Sequence, residues 1–220
     1  MRLFAAVWPP DDVLDHLDLA LATVRGGPAA LSSSIRWSAR DAWHVTAAFY
    51  GELPDGALPG LAAGLRSALA GVAPYELALR GAGVFSHRTL WVGVGGAVDA
   101  QRAVSGACVQ SGVEAGAAPD SRPRERPHLT IGRVRPGARP PRRRTSRPGG
   151  SSAPDARAGR PVAASEPGQD AEAVARALAV YSGPAWTVDE VLLVESRPGA
   201  GRGGGPLYAP VDVIALEAPR

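Results

Sequence analysis

Two short apolar runs, "WHVTAAFYG" from Trp43 to Gly51 and "RPHLTIGRV" from Arg126 to Val134, each carry a His-x-Thr triplet: His44 with Thr46, and His128 with Thr130. Each run has the length of a strand, and in a strand residues i and i+2 face one way while the residue between them faces the other. His44 and Thr46 therefore project together, as do His128 and Thr130, while Val45 and Leu129 point to the opposite faces. The flanks match as well, with apolar residues on both sides of each threonine. A chain that uses such a strand twice is expected to be built in two similar halves.

The surrounding pattern fits that expectation. Leu3 to Val7 reads as a short buried strand stopped by Pro9 and Pro10, and a helix follows from Asp11 or Asp12 with Leu14, Leu17, Leu21 and Val24 as its apolar stripe. The segment "IRW" precedes the first histidine strand, Trp43 to Tyr50, and a second helix spans roughly 59–70 with Leu58, Leu61, Leu65 and Leu69 aligned. "YELALRGAGVF" and "TLWVGV" read as strands separated by "SHR", and a third helix runs from Val98 to about Gly112. After the second histidine strand, His128 to Val134, comes a helix from Asp170 to Tyr181, then "WTVDEVLLVESR" as one strand and "LYAPVDVIAL" as the last. Strands and helices do not alternate strictly, so the expected class is α+β: a bilobal single domain over 1–220, with duplicated antiparallel sheets and outer helices.

Segment 135–169 breaks the pattern. It is rich in Arg, Pro, Gly, Ser and Ala and has no usable period, so it is expected to be a disordered insertion. It also holds eight Arg against Asp155 and Glu166, a local charge of +6 in a chain whose net charge is +3. The basicity is thus local, and the remainder carries 3 − 6 = −3. The chain has no Lys, which marks part of the Arg content as compositional bias. Its one cysteine, Cys108, cannot form an internal disulfide, and no Cys/His set has zinc-ligand spacing. The apolar start, Leu3 to Trp8, is too short for a signal core or a membrane span. A cytoplasmic protein without a membrane partner is expected.

Two imidazoles and two hydroxyls converging on one place suit phosphodiester chemistry without a metal. Attack on phosphorus needs a base to take a proton from water and an acid to protonate the departing alkoxide, and histidine titrates near neutrality, so it can do either. Threonine hydroxyls can donate to the non-bridging oxygens. A third triplet, His87-Arg88-Thr89, has a charged central residue and falls between two expected strands, so spacing alone does not identify the site. Trp37 is a candidate for base stacking, and Arg126 and Arg133, flanking the second triplet, are candidates for phosphate contact.

"HVTAAFYGE" and "RPHLTIGRV" resemble the two HxTx motifs of the two-histidine (2H) phosphoesterases, in particular the RNA 2′,3′-cyclic phosphodiesterases of the LigT/ThpR type. "MRLFAAVWPP", "IRW", "GVFSHRTLWVGV" and "VDEVLLVESRPGAGRGGGPLYAPV" are similar to that family's opening strand, pre-motif segment, central hairpin and closing hairpin. The resemblance implies a bilobal fold with a central cleft holding both histidines, and hydrolysis of RNA 2′,3′-cyclic phosphate ends, tRNA fragments included, to 2′-phosphomonoesters. It implies His44 as proton donor to the departing 3′ oxygen, His128 as the base that activates water, and Thr46 and Thr130 as phosphate-binding hydroxyls. It implies no metal or cofactor, and in some members a reverse reaction that joins RNA ends through a 2′,5′ linkage. A monomer is expected. Ala47 and Gly132 are smaller than the residues expected after each motif, a departure expected to loosen local packing. The residues themselves leave two alternatives open: an RNA- or nucleotide-binding module without turnover, and a 2′,5′-phosphodiesterase.

Overall fold

The computed structural model describes residues 1–25, 35–118, 126–135, 169–201 and 204–218. The 135–169 segment, apart from its two end residues, lies outside them. β1 (Arg2–Val7) leads through Pro9 and Pro10 into α1 (Asp11–Arg25). The prolines cannot extend a strand ladder, and Asp11 and Asp12 sit in the first turn, where the exposed N–H groups of a helix favour negative charge. β2 (Ile35–Trp37) and β3 (Val45–Glu52) precede α2 (Leu58–Leu69), and β4 (Tyr75–Phe85) and β5 (Thr89–Gly96) form a hairpin. α3 (Val98–Glu114), β6 (His128–Val134), α4 (Gln169–Ala177), β7 (Ser182–Val188), β8 (Glu190–Arg197) and β9 (Leu207–Ala215) complete the described elements.

All nine described strands join one curled antiparallel sheet in the order β7-β4-β5-β6-β3-β1-β8-β9, with β2 paired to β6 beside that path. The two expected halves are visible as β7-β4-β5-β6 and β3-β1-β8-β9. In each, the histidine strand is innermost, and the two meet at the single registered pair Val45↔Leu129. Farther along, β6 leaves β3 and pairs with β2, from Trp37↔Gly132 to Ile35↔Val134. The sheet therefore opens where the two motifs lie.

One face of the sheet is covered. The buried residues of α1, α2, α3 and α4 enter one core with Leu3, Val7, Val45, Leu77, Leu90, Val92, Leu129 and Ile131. Leu17, Leu21, Leu61 and Leu65 are fully enclosed there, each contributing about 1.5–3 kcal/mol relative to exposure. The other face carries a smaller cluster, Phe4, Ala6 and Val194, with Trp8, Phe49, Leu192 and Tyr208 packed around it. Strand alternation sends odd residues of β1 into the core and even ones to this second face.

Three expectations are corrected. "WTVDEVLLVESR" is two strands, not one: β7 pairs with β4 at one edge of the sheet, and β8 pairs with β1 and β9 in the other half. The chain crosses at Asp189, whose carbonyl accepts the Leu216 N–H at 2.7 Å. The helix expected to reach Tyr181 ends at Ala177, because Ala179 and Tyr181 donate back three residues, to Arg176 and Leu178, and turn the chain into β7. Gly132 does not loosen its surroundings, since a Cβ there would lie 2.9 Å from Ile35 Cγ2. Its smallness is what lets β2 approach β6.

Both motif strands bulge at the same place. Ala5 pairs with Ala48 but Ala6 with Thr46, leaving Ala47 extra, and Leu90 pairs with Gly132 but Trp91 with Thr130, leaving Ile131 extra. Each extra residue is the third after its histidine. A bulge shifts the alternation by one, so Phe49 and Arg133 return to the second face, uncovered in that no described helix lies on it.

Gly132→Ala should destabilise the protein by about 1–3 kcal/mol through that clash, measured by chemical denaturation. Gly106→Ala, at an exposed helical position with nothing within 4 Å of the added carbon, should instead stabilise it by about 0.5–1 kcal/mol. Equal effects from both would contradict the packing described.

Candidate active site

Val45 and Leu129, both fully buried, anchor the junction from the covered side. One step to either side, antiparallel register sets His44 opposite Thr130 and Thr46 opposite His128, with their side chains on the uncovered face. The two triplets are thereby interleaved: each imidazole neighbours the other strand's hydroxyl, with directly opposed Cβ atoms about 5 Å apart. The outer neighbours on this face are Ala6 beside Thr46, Gly93 beside His128 and Trp91 beside Thr130.

The imidazoles are held alike. His44 Nδ1 lies 2.9 Å from the Ala42 carbonyl and His128 Nδ1 lies 2.9 Å from the Arg126 carbonyl, in both cases two residues back. A carbonyl only accepts, so each Nδ1 carries the proton and donates it, and Nε2 is the second ring nitrogen, of a type that can take up or release a proton. A 3-10 turn at Arg40–Ala42 presents the first of these carbonyls. Arg126, a candidate for its side chain, contributes its backbone here.

The surroundings of the rings differ. His44 stacks on Trp8 with centroids 4.6 Å apart, lies 4.9 Å from Phe4, and meets Tyr208 edge-on at 5.1 Å. Burial in this aromatic box lowers its pKa to about 4, against the raising effect of the Ala42 carbonyl and with a smaller lowering from His128. His44 is therefore neutral at pH 7 in the free protein. His128 meets Phe85 edge-on at 4.9 Å and lies 6.1 Å from Trp91, which stacks on Phe85. The indole of Trp91 rests over Gly83, where a Cβ would come within 2.3 Å of it.

Arg133 lies on the same face, because the bulge puts it there, and its Nη1 donates to Thr89 Oγ1 at 3.2 Å. It is close enough to Tyr208 that its charge, with that of Arg2, opposes the upward push of burial on the phenol. Trp37 is placed elsewhere. It packs against the main core on the covered side, with the Arg25 guanidinium 4.8 Å from its ring centroid.

His87 also parts from the other two triplet histidines. It occupies the tip of the β4–β5 hairpin at φ 54°, is 82% exposed, and pairs with Glu172 of α4 at 2.9 Å. The recess beside it, about 370 Å³ and lined by Val84, Ser86, His87, Glu172, Ala175 and Arg176, lies on the helix side. Sequence reasoning misses the box around His44, although Phe4, Ala6 and Trp8 share an alternation phase that could have indicated it. Among the described residues no group of three or more His, Cys, Asp or Glu is gathered as metal ligands, and no helix is long and apolar enough to cross a membrane.

A family model described as the 2′-5′ RNA ligase superfamily matches residues 10–145. A curated relative from Methanothermobacter thermautotrophicus, named RNA 2′,3′-cyclic phosphodiesterase, is 30% identical over 144 residues, 61% of this chain and 72% of that protein. A second of the same name, from Geobacillus stearothermophilus, is 34% identical over 122 residues, 52% of this chain and 37% of that longer protein. Among solved structures, a Thermus thermophilus protein superposes with TM-score 0.64 at 23% identity over 100% of both chains. Apo E. coli LigT superposes with TM-score 0.62 at 20% identity, covering 98% of this chain and 97% of its own. These structural likenesses establish the fold.

The depressed pKa of His44 has a consequence for stability. Its folded value of about 4 lies below the unfolded 6.5, so the unfolded chain binds more protons between them. The contribution is fully present above pH 6.5 and is lost as pH falls towards 4, on the order of 3 kcal/mol in all. Denaturation midpoints measured from pH 7 to 4 should fall, and His44→Phe should flatten that slope. A slope unaffected by the substitution would contradict the placement of His44 in the aromatic box.

Proposed function

The chain belongs to the 2′-5′ RNA ligase superfamily, and from that membership we propose that it hydrolyses the 2′,3′-cyclic phosphate ends of RNA, tRNA fragments included, to 2′-phosphomonoesters. The observation that carries this reading is the interleaved register, which puts two imidazoles, oriented alike through Nδ1, beside two hydroxyls on one uncovered face. Two curated relatives named RNA 2′,3′-cyclic phosphodiesterase support it.

In this reading His128 Nε2 takes a proton from water as the water oxygen attacks phosphorus. The P–O3′ bond breaks, and His44 Nε2–H protonates the departing O3′. Thr46 and Thr130 donate to the non-bridging oxygens, and Arg133 offsets the substrate's charge. One water is consumed, and proton exchange with solvent restores both rings. The joining of RNA ends through a 2′,5′ linkage uses the same imidazoles with their roles exchanged. The protein works as a monomer without metal or cofactor.

The neutrality of free His44 fits this chemistry only if the substrate brings its own remedy. A phosphodiester anion between the rings attracts a proton to His44, opposing the desolvation that keeps it neutral. Its pKa should therefore rise from about 4 when a nucleoside 2′-phosphate is bound, as read by NMR titration of the imidazole. A value that stays put on saturation would remove His44 from the acid role.

Turnover of a nucleoside 2′,3′-cyclic phosphate should persist in excess EDTA with a bell-shaped pH profile. His44→Ala and His128→Ala should each lower kcat by about 10²–10⁴, and Thr46→Val or Thr130→Val by about a hundredfold, with unchanged circular dichroism. Tight binding without turnover would instead support a binding module. Unfolding of the histidine variants would make these residues structural.

A further inference from the structure

β1 and β3 part after the pair Val7↔Val45, and their chains meet again a few residues on. On one arm Trp8 is followed by Pro9, Pro10 and Asp11, where α1 begins. On the other, running back from His44, come Trp43 and the 3-10 turn Arg40–Ala42. Arg40 joins the two arms. Its Nη1 donates to Asp11 Oδ1 at 3.0 Å, and its Nη2 donates to the Asp11 carbonyl at 3.0 Å and to Asp15 Oδ1 at 2.6 Å.

The circuit closed in this way contains both groups that orient His44. The strand ladder shuts one end and Arg40 the other; between them the imidazole stacks on Trp8 at 4.6 Å and donates from Nδ1 to the Ala42 carbonyl at 2.9 Å. Neither arm is slack. Successive prolines fix φ between Trp8 and Asp11, so the place where Asp11 is held decides where the indole lies. The turn is tied within itself, Ala42 N–H donating to the Ala39 carbonyl and Trp43 N–H to the Arg40 carbonyl, both at 3.0 Å, so a restraint on Arg40 reaches the Ala42 carbonyl. The acids suit the same purpose. Asp11 and Asp15 stand one turn apart on one side of α1, where like charges weaken a helix, and Arg40 is the cation that bridges them. Both acids are largely exposed, so the cluster contributes little to the stability of the whole fold. Its effect is local to the ring.

We propose that Arg40 is a positioning residue for His44: by cross-linking the start of α1 to the turn before β3, it fixes the Trp8 ring and the Ala42 carbonyl relative to each other, and with them the imidazole. The inference rests on the reading of His44 as proton donor and deepens it, because it names what holds the donor in place. Arg40 acts through the ring and not on the substrate.

The test opens the clamp from each side and follows the His44 imidazole by NMR titration of the ligand-free protein, with kinetics on a nucleoside 2′,3′-cyclic phosphate. Arg40→Met should admit water to the aromatic box and raise the His44 pKa from about 4 towards the ordinary 6.5. Asp11→Ala combined with Asp15→Ala should raise it as well. A direct effect of charge would act otherwise, because loss of a cation raises a histidine pKa and loss of two anions lowers it. His128, whose charge also bears on the ring, is the same in every variant. A 1 Å misplacement costs about a hundredfold in rate, so a loosened ring should cut kcat about tenfold and move KM by less than about twofold. Arg40→Lys, which keeps the charge but not the planar fork, should show part of both effects.

A His44 pKa that does not rise in Arg40→Met, or shifts of opposite sign in the arginine and aspartate variants, would overturn the proposal. Should Arg40→Met not fold, Arg40→Lys carries the same titration, and an unshifted His44 there would overturn it equally. If the unsubstituted protein turns over no cyclic phosphate, the hydrolytic reading has failed, and the titration alone decides whether Arg40 holds the ring.

Discussion

Val45 paired with Leu129 is the contact on which the site depends. Both side chains are fully buried in the core beneath the sheet, so neither strand can shift by one residue without turning an apolar side chain to solvent and a histidine into the core. That penalty fixes the register, and the register interleaves the triplets. The two bulges then end the close pairing within a few residues, letting β6 turn to β2 while the imidazoles stay together.

The two rings are equivalent in their hydrogen bonds and unlike in their environments. Each is oriented by a carbonyl two residues back, which frees neither ring to rotate and leaves the same nitrogen for proton transfer. His44, boxed by Trp8, Phe4 and Tyr208, is held neutral near pH 7. A nearly symmetric pair of strands thus acquires two distinct histidines through the residues packed around them. The neighbouring strands supply that difference: β1 and β9 on one side, β4 and β5 on the other.

Much of this is legible in the sequence because it rests on local patterns. The leucines of α1 and α2 fall at helical spacing and are the ones buried, and the second motif strand has the bounds its apolar run indicates. That His44 and Thr46 share a face, as do His128 and Thr130, is readable from alternation, whereas setting these two triplets apart from His87 takes their apolar flanks and the resemblance as well. What cannot be read comes from distant pairing. Asp189 divides a run whose pattern continues unbroken, because β7 and β8 belong to different halves. Trp37 is a candidate for base stacking by type, yet the phase of β2 against β6 sends it to the core and sends Arg36 to the site face. His87 shares the triplet spacing, but the hairpin turn directs it to Glu172.

In the proposed reaction, water attacks a cyclic phosphate while His44 protonates the departing 3′ oxygen. The most direct measurement is the identity of the product from an RNA 2′,3′-cyclic phosphate end, resolved by phosphorus NMR. A 2′-phosphomonoester alone is predicted. A 3′-phosphomonoester, or an equal mixture of the two, would contradict the assigned geometry of attack and departure.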